Sequence, residues 1–202
     1  IQRAHSSFAA EHGYADRFCV QYSGNFGRLH DLLTLLEAAR LLLNEAIQFV
    51  FIGGGAKQGQ IEAYRSRFSL DNVLQLPYQP RERLHESLAA CDMAAIGLIP
   101  GAEDTVAPCK FYGILASGRA VILIAHRSCD LAQLVLRYGC GIVVEPGEAA
   151  ELAEQLLNLS QKPNRAWDMG ERSLNLYRRE FGFQRSLERY EAVLQGLLLQ
   201  AP

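Results

Sequence analysis

Two patterns of hydrophobic positions alternate along this chain. The first is a set of short, nearly unbroken apolar runs at residues 18–22, 47–52, 73–76, 93–99, 121–125 and 141–144. Runs this short, bounded by glycine, proline and polar residues, predict strands buried on both faces. The second is a three- and four-residue spacing. It is seen in Leu29, Leu32, Leu33, Leu36, Ala39 and Leu43, in residues 61–68, in Leu84, Leu88 and Cys91, and in Leu131, Leu134 and Val135. That spacing predicts amphipathic helices between the strands, and three more follow at residues 148–159, 164–180 and 184–200. Strands alternating with helices make an α/β domain: a Rossmann-like parallel six-stranded sheet with helices on both faces. Residues 1–16 show no period and read as a linker remnant.

In such sheets ligands bind outside the carboxyl ends of the strands, and the turns there are unusual. The first strand is followed by Gly24-Asn25-Phe26-Gly27-Arg28, the second by Gly53-Gly54-Gly55 and the third by Pro77-Tyr78-Gln79-Pro80. After the fourth comes the loop of residues 100–107, with Gly101, Glu103, Asp104, Thr105 and Val106. Glycine turns let backbone N–H groups approach a phosphate closely. The G-x-G-x-x-G spacing of dinucleotide sites is absent, and no acidic residue closes the third strand, which argues against NAD. Tyr78 is compatible both with a base contact and with an aromatic that covers a strand end. The next helix, opened by Pro108 and closed by Gly118, carries Lys110 in its first turn, where a cation opposes the helix dipole. A bound diphosphate would reverse that cost. A solvated lysine on a frayed helix end accounts for the same residues, and the sequence leaves both readings open.

Composition narrows the picture. With 202 residues, 49% of them hydrophobic, the chain has enough core for one domain. A net charge of −2 gives no basic field for nucleic acid, so no nucleic-acid partner is expected. No apolar run reaches the roughly 18–20 residues a bilayer span needs. The chain opens on Ile1 without a methionine, which reads as an excised fragment. Five scattered cysteines and five dispersed histidines show no metal-ligand spacing and suit a reducing cytosol, so no metal site is expected. No Ser–His–Asp, Cys–His or paired-carboxylate set is apparent.

The segment P-x-K-F-Y-G-I-L-A-x-G-R at residues 108–119, with the turns around it, resembles the nucleotide-sugar-binding half of retaining GT-B glycosyltransferases of family 4. It is closest to the bacterial capsule and exopolysaccharide branch with its P-S-K-x-Y motif, and the likeness runs from about residue 17 to residue 194. The resemblance implies one half of a GT-B fold and transfer of a hexose-type sugar from an NDP-sugar, most simply UDP or GDP, to a glycan or lipid-linked acceptor. It implies no cofactor and no obligatory metal. Lys110 and Arg28 would carry the catalytic contacts to the diphosphate. Gly24, Asn25, Gly27, Gly53 and Gly54 would offer close backbone approach, Tyr78 would border the base, and Glu103, Thr105 and Val106 would face the donor sugar. Cys109, Phe111, Tyr112 and Gly113 complete the implied site.

By the same resemblance, residues 17–182 form the donor domain. Residues 183–202 form a helix crossing to a missing N-terminal acceptor-binding domain of the parent chain, with Leu187, Tyr190, Leu194, Leu197 and Leu198 as its apolar stripe. Such an enzyme is cytoplasmic and associates with the inner face of the membrane through that other domain. Two departures stand out. Thr105 and Gly113 occupy the two glutamate positions of the family's Glu–seven residues–Glu motif, and the second leaves the ribose without its usual carboxylate. Cys109 and Ala120 replace the usual Ser and Pro. A non-catalytic module with a decayed site and a GT-B sugar-nucleotide epimerase are the alternatives. The epimerase lacks its usual histidines and carboxylates here.

Overall fold

A computed structural model of the protein describes residues 6–103, 105, 106 and 108–198. In chain order the elements are α1 (Ser7–Glu11), β1 (Phe18–Asn25), α2 (Leu33–Leu41), β2 (Ile47–Gly54), α3 (Gln58–Phe68) and β3 (Val73–Leu76). Next come α4 (Leu84–Ala89), β4 (Met93–Gly97), α5 (Lys110–Ala116), β5 (Ala120–Ile124), α6 (Asp130–Tyr138) and β6 (Gly141–Val144). The chain ends in α7 (Ala149–Ser160), α8 (Pro163–Leu176) and α9 (Phe183–Leu198), the last two joined by a π-helical turn at Tyr177–Phe181.

The strands form one parallel sheet in the order β3-β2-β1-β4-β5-β6. Strand order reverses between β1 and β4, which places the topological switch point at the end of β1. Successive strand residues bury opposite faces, so the core has two layers. Val20, Tyr22, Phe49 and Phe51 pack with Leu35, Leu36, Leu152 and Leu156 of α2 and α7 on one side. Cys19, Val50, Ile96 and Leu123 pack with Phe8, Phe111, Leu115 and Val135 of α1, α5 and α6 on the other.

Several expected boundaries move. β1 runs on through Asn25, because Gly24 and Asn25 still pair with Gly53 and Gly54 of β2. α2 starts at Leu33 instead of near Leu29, since the Asp31 carboxylate accepts the Thr34 N–H at 3.1 Å and ends a turn there. Leu84 is 43% exposed, against the expected burial, while Ser87 and Ala89 turn inward. The tighter 3-10 turn at Arg81–Arg83 sets the phase of α4. α8 stops at Leu176, four residues short of expectation, where the π-helical turn begins.

The stretch read as a linker is a packed element from residue 7 onward. Ser6 caps α1 by accepting the Ala9 N–H at 3.3 Å, and Phe8 and Tyr14 are buried. The Arg83 guanidinium lies 5.2 Å from the centre of the Phe8 ring. Residues 1–5 of that stretch, Asp104 and Ala107 of the β4–α5 loop, and residues 199–202 lie outside the described residues, as do the side chains of Leu197 and Leu198. On α9, Leu187, Tyr190 and Leu194 are exposed together with Phe183 and Val193. No described helix is long and apolar enough to cross a membrane.

Candidate functional site

The carboxyl ends of β1 and β2 meet without side chains between them. Gly24 and Gly53 lie in register with φ of +127° and +141°. A Cβ on Gly53 would collide with the Gly24 carbonyl, and one on Gly55 with the Asn25 side chain. Phe26 N–H donates to the Gly54 carbonyl at 2.9 Å, and Lys57 N–H to the Phe26 carbonyl at 2.9 Å. Tyr78, whose ring lies against Gly54, donates its hydroxyl to the same Gly54 carbonyl at 3.2 Å. The result is a flat, backbone-lined rim with one exposed aromatic edge.

Lys110 reaches this rim from α5. Its Nζ sits 3.6 Å from the centre of the Tyr22 ring and is buried, with no hydrogen-bond partner among the described residues. A Cβ on Gly24 would lie 3.6 Å from both Cε and Nζ, an ordinary van der Waals contact, so the end of the lysine packs directly against this glycine. Burial pushes the Lys110 pKa down to about 7. Burial, and then the phenol of Tyr78, raise that of Tyr22. The cation–π contact stabilises the charge, though less than hydrogen bonds would. Contrary to expectation, Pro108 precedes the cap of α5 instead of starting its first turn. The Phe111 N–H is already taken by the Pro108 carbonyl at 2.9 Å. In a helix of seven residues the anion-attracting group is therefore mainly the ammonium.

Three residues that sequence reading passed over organise the turn. Nδ1 of His30 lies 2.8 Å from the Asn25 carbonyl oxygen and 3.2 Å from the Gly27 nitrogen, closing the glycine loop on itself. Lys57 donates from Nζ to the His30 carbonyl at 2.6 Å and clamps that loop to the start of α3. Burial, then the Lys110 charge, lower the His30 pKa. Tyr22 supplies the face under Lys110. The available signal for it was its place two residues before Gly24, on the same face of β1.

The remaining expected residues divide. Arg28 stands exposed on the β1–α2 turn, with no hydrogen bond or ion pair among the described residues. Glu103 accepts the His126 N–H at 3.0 Å. Its partial burial raises its pKa, but the N–H groups of His126, Glu103 itself and Gly101 outweigh this and hold it below the usual carboxylate range. That carboxylate braces two loops. Thr105 donates its hydroxyl to the Ala102 carbonyl at 3.2 Å, and Val106 packs on the core. Cys109 caps α5 and is exposed. Phe111 is buried, so its ring supports the site from beneath. Tyr112 is exposed, 5.1 Å from Phe181 in an edge-on contact. A Cβ on Gly113 would meet none of the described residues within 4 Å outside its own helix backbone.

On the side of α5 away from Lys110 a cavity of about 990 Å³ opens between the loops that follow β4, β5 and β6. The described residues contain no cluster of His, Cys, Asp or Glu able to hold a metal ion.

The strand order, the switch point and the glycine-lined strand ends define the class of Rossmann-like α/β domains. Within that class the model of one family, glycosyl transferases group 1, matches residues 7–175, and the chain belongs to that family. It is 26% identical over 184 residues to the probable glycosyltransferase WbjE of Pseudomonas aeruginosa, covering 90% of this chain and 45% of the relative. To the putative colanic acid biosynthesis glycosyl transferase WcaI of Escherichia coli (strain K12) it is 30% identical over 160 residues, covering 77% and 39%. The chain thus spans less than half the length of either relative. Among solved structures, Anabaena Alr3699/HepE in complex with UDP-glucose superposes with a TM-score of 0.80 at 16% identity, over 96% of this chain and 52% of that one. That likeness shows the shared GT-B-type, Rossmann-like fold.

Proposed function

We propose that this chain is the C-terminal, donor-binding half of a retaining family 4 glycosyltransferase of the capsule and exopolysaccharide branch. It takes a hexosyl unit from a UDP- or GDP-sugar to a glycan or lipid-linked acceptor. The observation that carries the reading is the buried Lys110 ammonium at the glycine rim, with no hydrogen-bond partner among the described residues. A buried cation without hydrogen bonds is costly, and two phosphate groups would supply the missing acceptors. The same charge would stabilise the diphosphate as it leaves, the largest single electrostatic contribution available here. Tyr78 offers its exposed edge to the base, and the exposed Arg28 on the glycine turn would supply a second cation to the diphosphate. The fold of the chain and the UDP-glucose held by HepE support the choice of donor class. No obligatory metal or cofactor enters the proposal.

The partner domain belongs to the same proposal. A chain less than half its relatives' length, ending in a helix with Phe183 80% exposed and Tyr190 72% exposed, fits a donor domain at residues 17–182 whose residues 183–202 cross to an N-terminal acceptor domain. The packed α1 extends the donor domain back to residue 7. Cytoplasmic residence at the inner membrane face is part of the proposal. The chain alone binds donor without multiple turnover.

The test is a calorimetric screen of UDP, GDP, ADP and dTDP with the parent and with Lys110→Ala at fixed ionic strength. One nucleotide should bind. The variant should lose about 1.5–3 kcal/mol of affinity, roughly 10- to 150-fold, the range for charge-assisted hydrogen bonds. Equal affinities for parent and variant would remove Lys110 from the site. Binding of none of the four would favour the decayed-module reading.

A further inference from the structure

The Nδ1 atom of His30 faces two hydrogen bonds that exclude each other. It lies 2.8 Å from the Asn25 carbonyl oxygen, a bond that needs a proton on Nδ1. It also lies 3.2 Å from the Gly27 nitrogen, whose N–H points at it and needs a lone pair there. One ring nitrogen carries either a proton or a lone pair, so it serves only one of the two backbone groups at a time. We propose that His30 is a positioning residue, a tautomer latch on the glycine loop that holds the Gly27 N–H in the free chain and releases it to a bound nucleotide. The proposal rests on the nucleotide-binding reading for the identity of the ligand.

Counting satisfied groups assigns the two forms. In the accepting form Nε2 carries the proton and Nδ1 takes the Gly27 N–H. The Asn25 carbonyl is still served, because the Tyr22 hydroxyl donates to it at 3.2 Å. Both backbone groups then have a partner, and that makes this the form of the free chain. In the donating form Nδ1–H goes to Asn25, and the Gly27 N–H loses the one hydrogen bond it makes among the described residues. An unpaired amide on a half-buried residue is unfavourable, and a phosphate oxygen offsets that cost with a charge-assisted bond.

The rest of the loop is fixed, which leaves the ring proton as the variable. Phe26 is tied to Gly54 and Lys57 through its N–H and carbonyl, and Lys57 Nζ holds the His30 carbonyl at 2.6 Å. A Cβ on Gly27 would lie 3.0 Å from Asn25 Nδ2 and 3.4 Å from His30 Nδ1, so the loop amide sits directly on the ring. The groups facing the imidazole are Lys110 of α5, Lys57 just before α3 and Tyr22 of β1, whose ring centre is 6.2 Å away. On the turn itself Arg28 is exposed, and the Asp31 carboxylate is taken by Thr34. Burial first, then the charges of Lys110 and Lys57, disfavour the imidazolium and outweigh the Asn25 carbonyl, so the ring is neutral near neutral pH. The switch is therefore an exchange of tautomers: Nε2 gives one proton to water, Nδ1 takes one from water, and the charge of the ring is unchanged.

The experiment is a long-range proton–nitrogen NMR spectrum of the His30 imidazole in the 15N-labelled chain, above the midpoint of its titration. It is recorded free and with saturating UDP or GDP, with binding followed by calorimetry. In the free chain Nε2 should be protonated and Nδ1 bare. Bound nucleotide should invert that assignment and shift the Gly27 amide resonance with it. Tyr22→Phe removes the hydroxyl that serves Asn25 in the accepting form, so the free variant should already carry the proton on Nδ1. A histidine that merely packs the loop would not respond to that hydroxyl. A ring unchanged by bound nucleotide, an Nδ1 already protonated in the free parent, or a Tyr22→Phe ring identical to the parent would each overturn the latch. Calorimetry keeps the two readings apart: nucleotide bound with an unmoved tautomer removes the latch alone, whereas binding of neither UDP nor GDP removes the nucleotide reading and the latch with it.

Discussion

The two halves of the sheet end in opposite ways at the same edge. At β1 and β2 the chain withdraws side chains until backbones approach closely, at Gly24, Gly53 and Gly55, and a single lysine packs against Gly24. At β4, β5 and β6 the loops stand apart, braced by Glu103 and Glu145, and enclose a volume lined by side chains. The two rims thus offer different surfaces on either side of a single helix turn: backbone with one cation on the first, braced side chains on the second.

The comparison can be broken most forcefully at its tightest point. Gly53→Ala puts a methyl group against the Gly24 carbonyl at a φ of +141°, and should cost about 3 kcal/mol or more of stability by urea unfolding. A loss under about 1 kcal/mol would mean that the strand ends part easily and that the close approach is not structural. Next in size is the loss of nucleotide affinity in Lys110→Ala. Gly113→Glu then asks whether the open space beside α5 belongs to the ligand. Since a Cβ there meets no atom of the described residues within 4 Å outside its own helix, the helix should tolerate the change, and a several-fold weaker UDP or GDP affinity would show that nucleotide or water occupies the space. Several-fold tighter binding would make Gly113 a lost ribose contact.

The smallest effect is expected on the braced side. Glu103→Gln keeps an acceptor oxygen but removes the charge from its three backbone donors, so stability should fall by under about 1 kcal/mol at this solvent-facing position. The brace strengthens above the ordinary carboxylate pKa and fades as pH falls through the lowered value, because the folded state holds the ionised form more tightly than the unfolded chain does. A pH-independent difference between parent and variant thermal midpoints would contradict that role.

Much of this arrangement was legible in the residues. β3, α6 and β6 fall where the apolar runs and the three- and four-residue spacing put them, and Gly139 closes α6 at φ +57°. The glycine turns and Lys110 marked the β1–β2 rim because each signal is local. α1 escaped because five residues show no period, and α4 was read with the wrong face because a 3-10 turn shifted its phase. The role of Glu103 was illegible because its partner is a backbone N–H 23 positions away. The cavity gathers residues from Leu98 to Phe181, and only the fold brings them together.

The central claim is that the Lys110 ammonium is held unpartnered for the donor diphosphate. An NMR pH titration of the Lys110 side chain in the free chain and with saturating UDP-glucose tests it most directly. Free, the amine should titrate near pH 7, and His30, whose own pKa is lowered by burial and by Lys110, is followed alongside. Because the diphosphate binds the protonated form, its presence should raise the Lys110 value well above 7, and donor affinity should fall as pH rises above 7 until the bound-state value is reached. A Lys110 titration that UDP-glucose leaves unmoved, while calorimetry shows that ligand bound, would contradict the account.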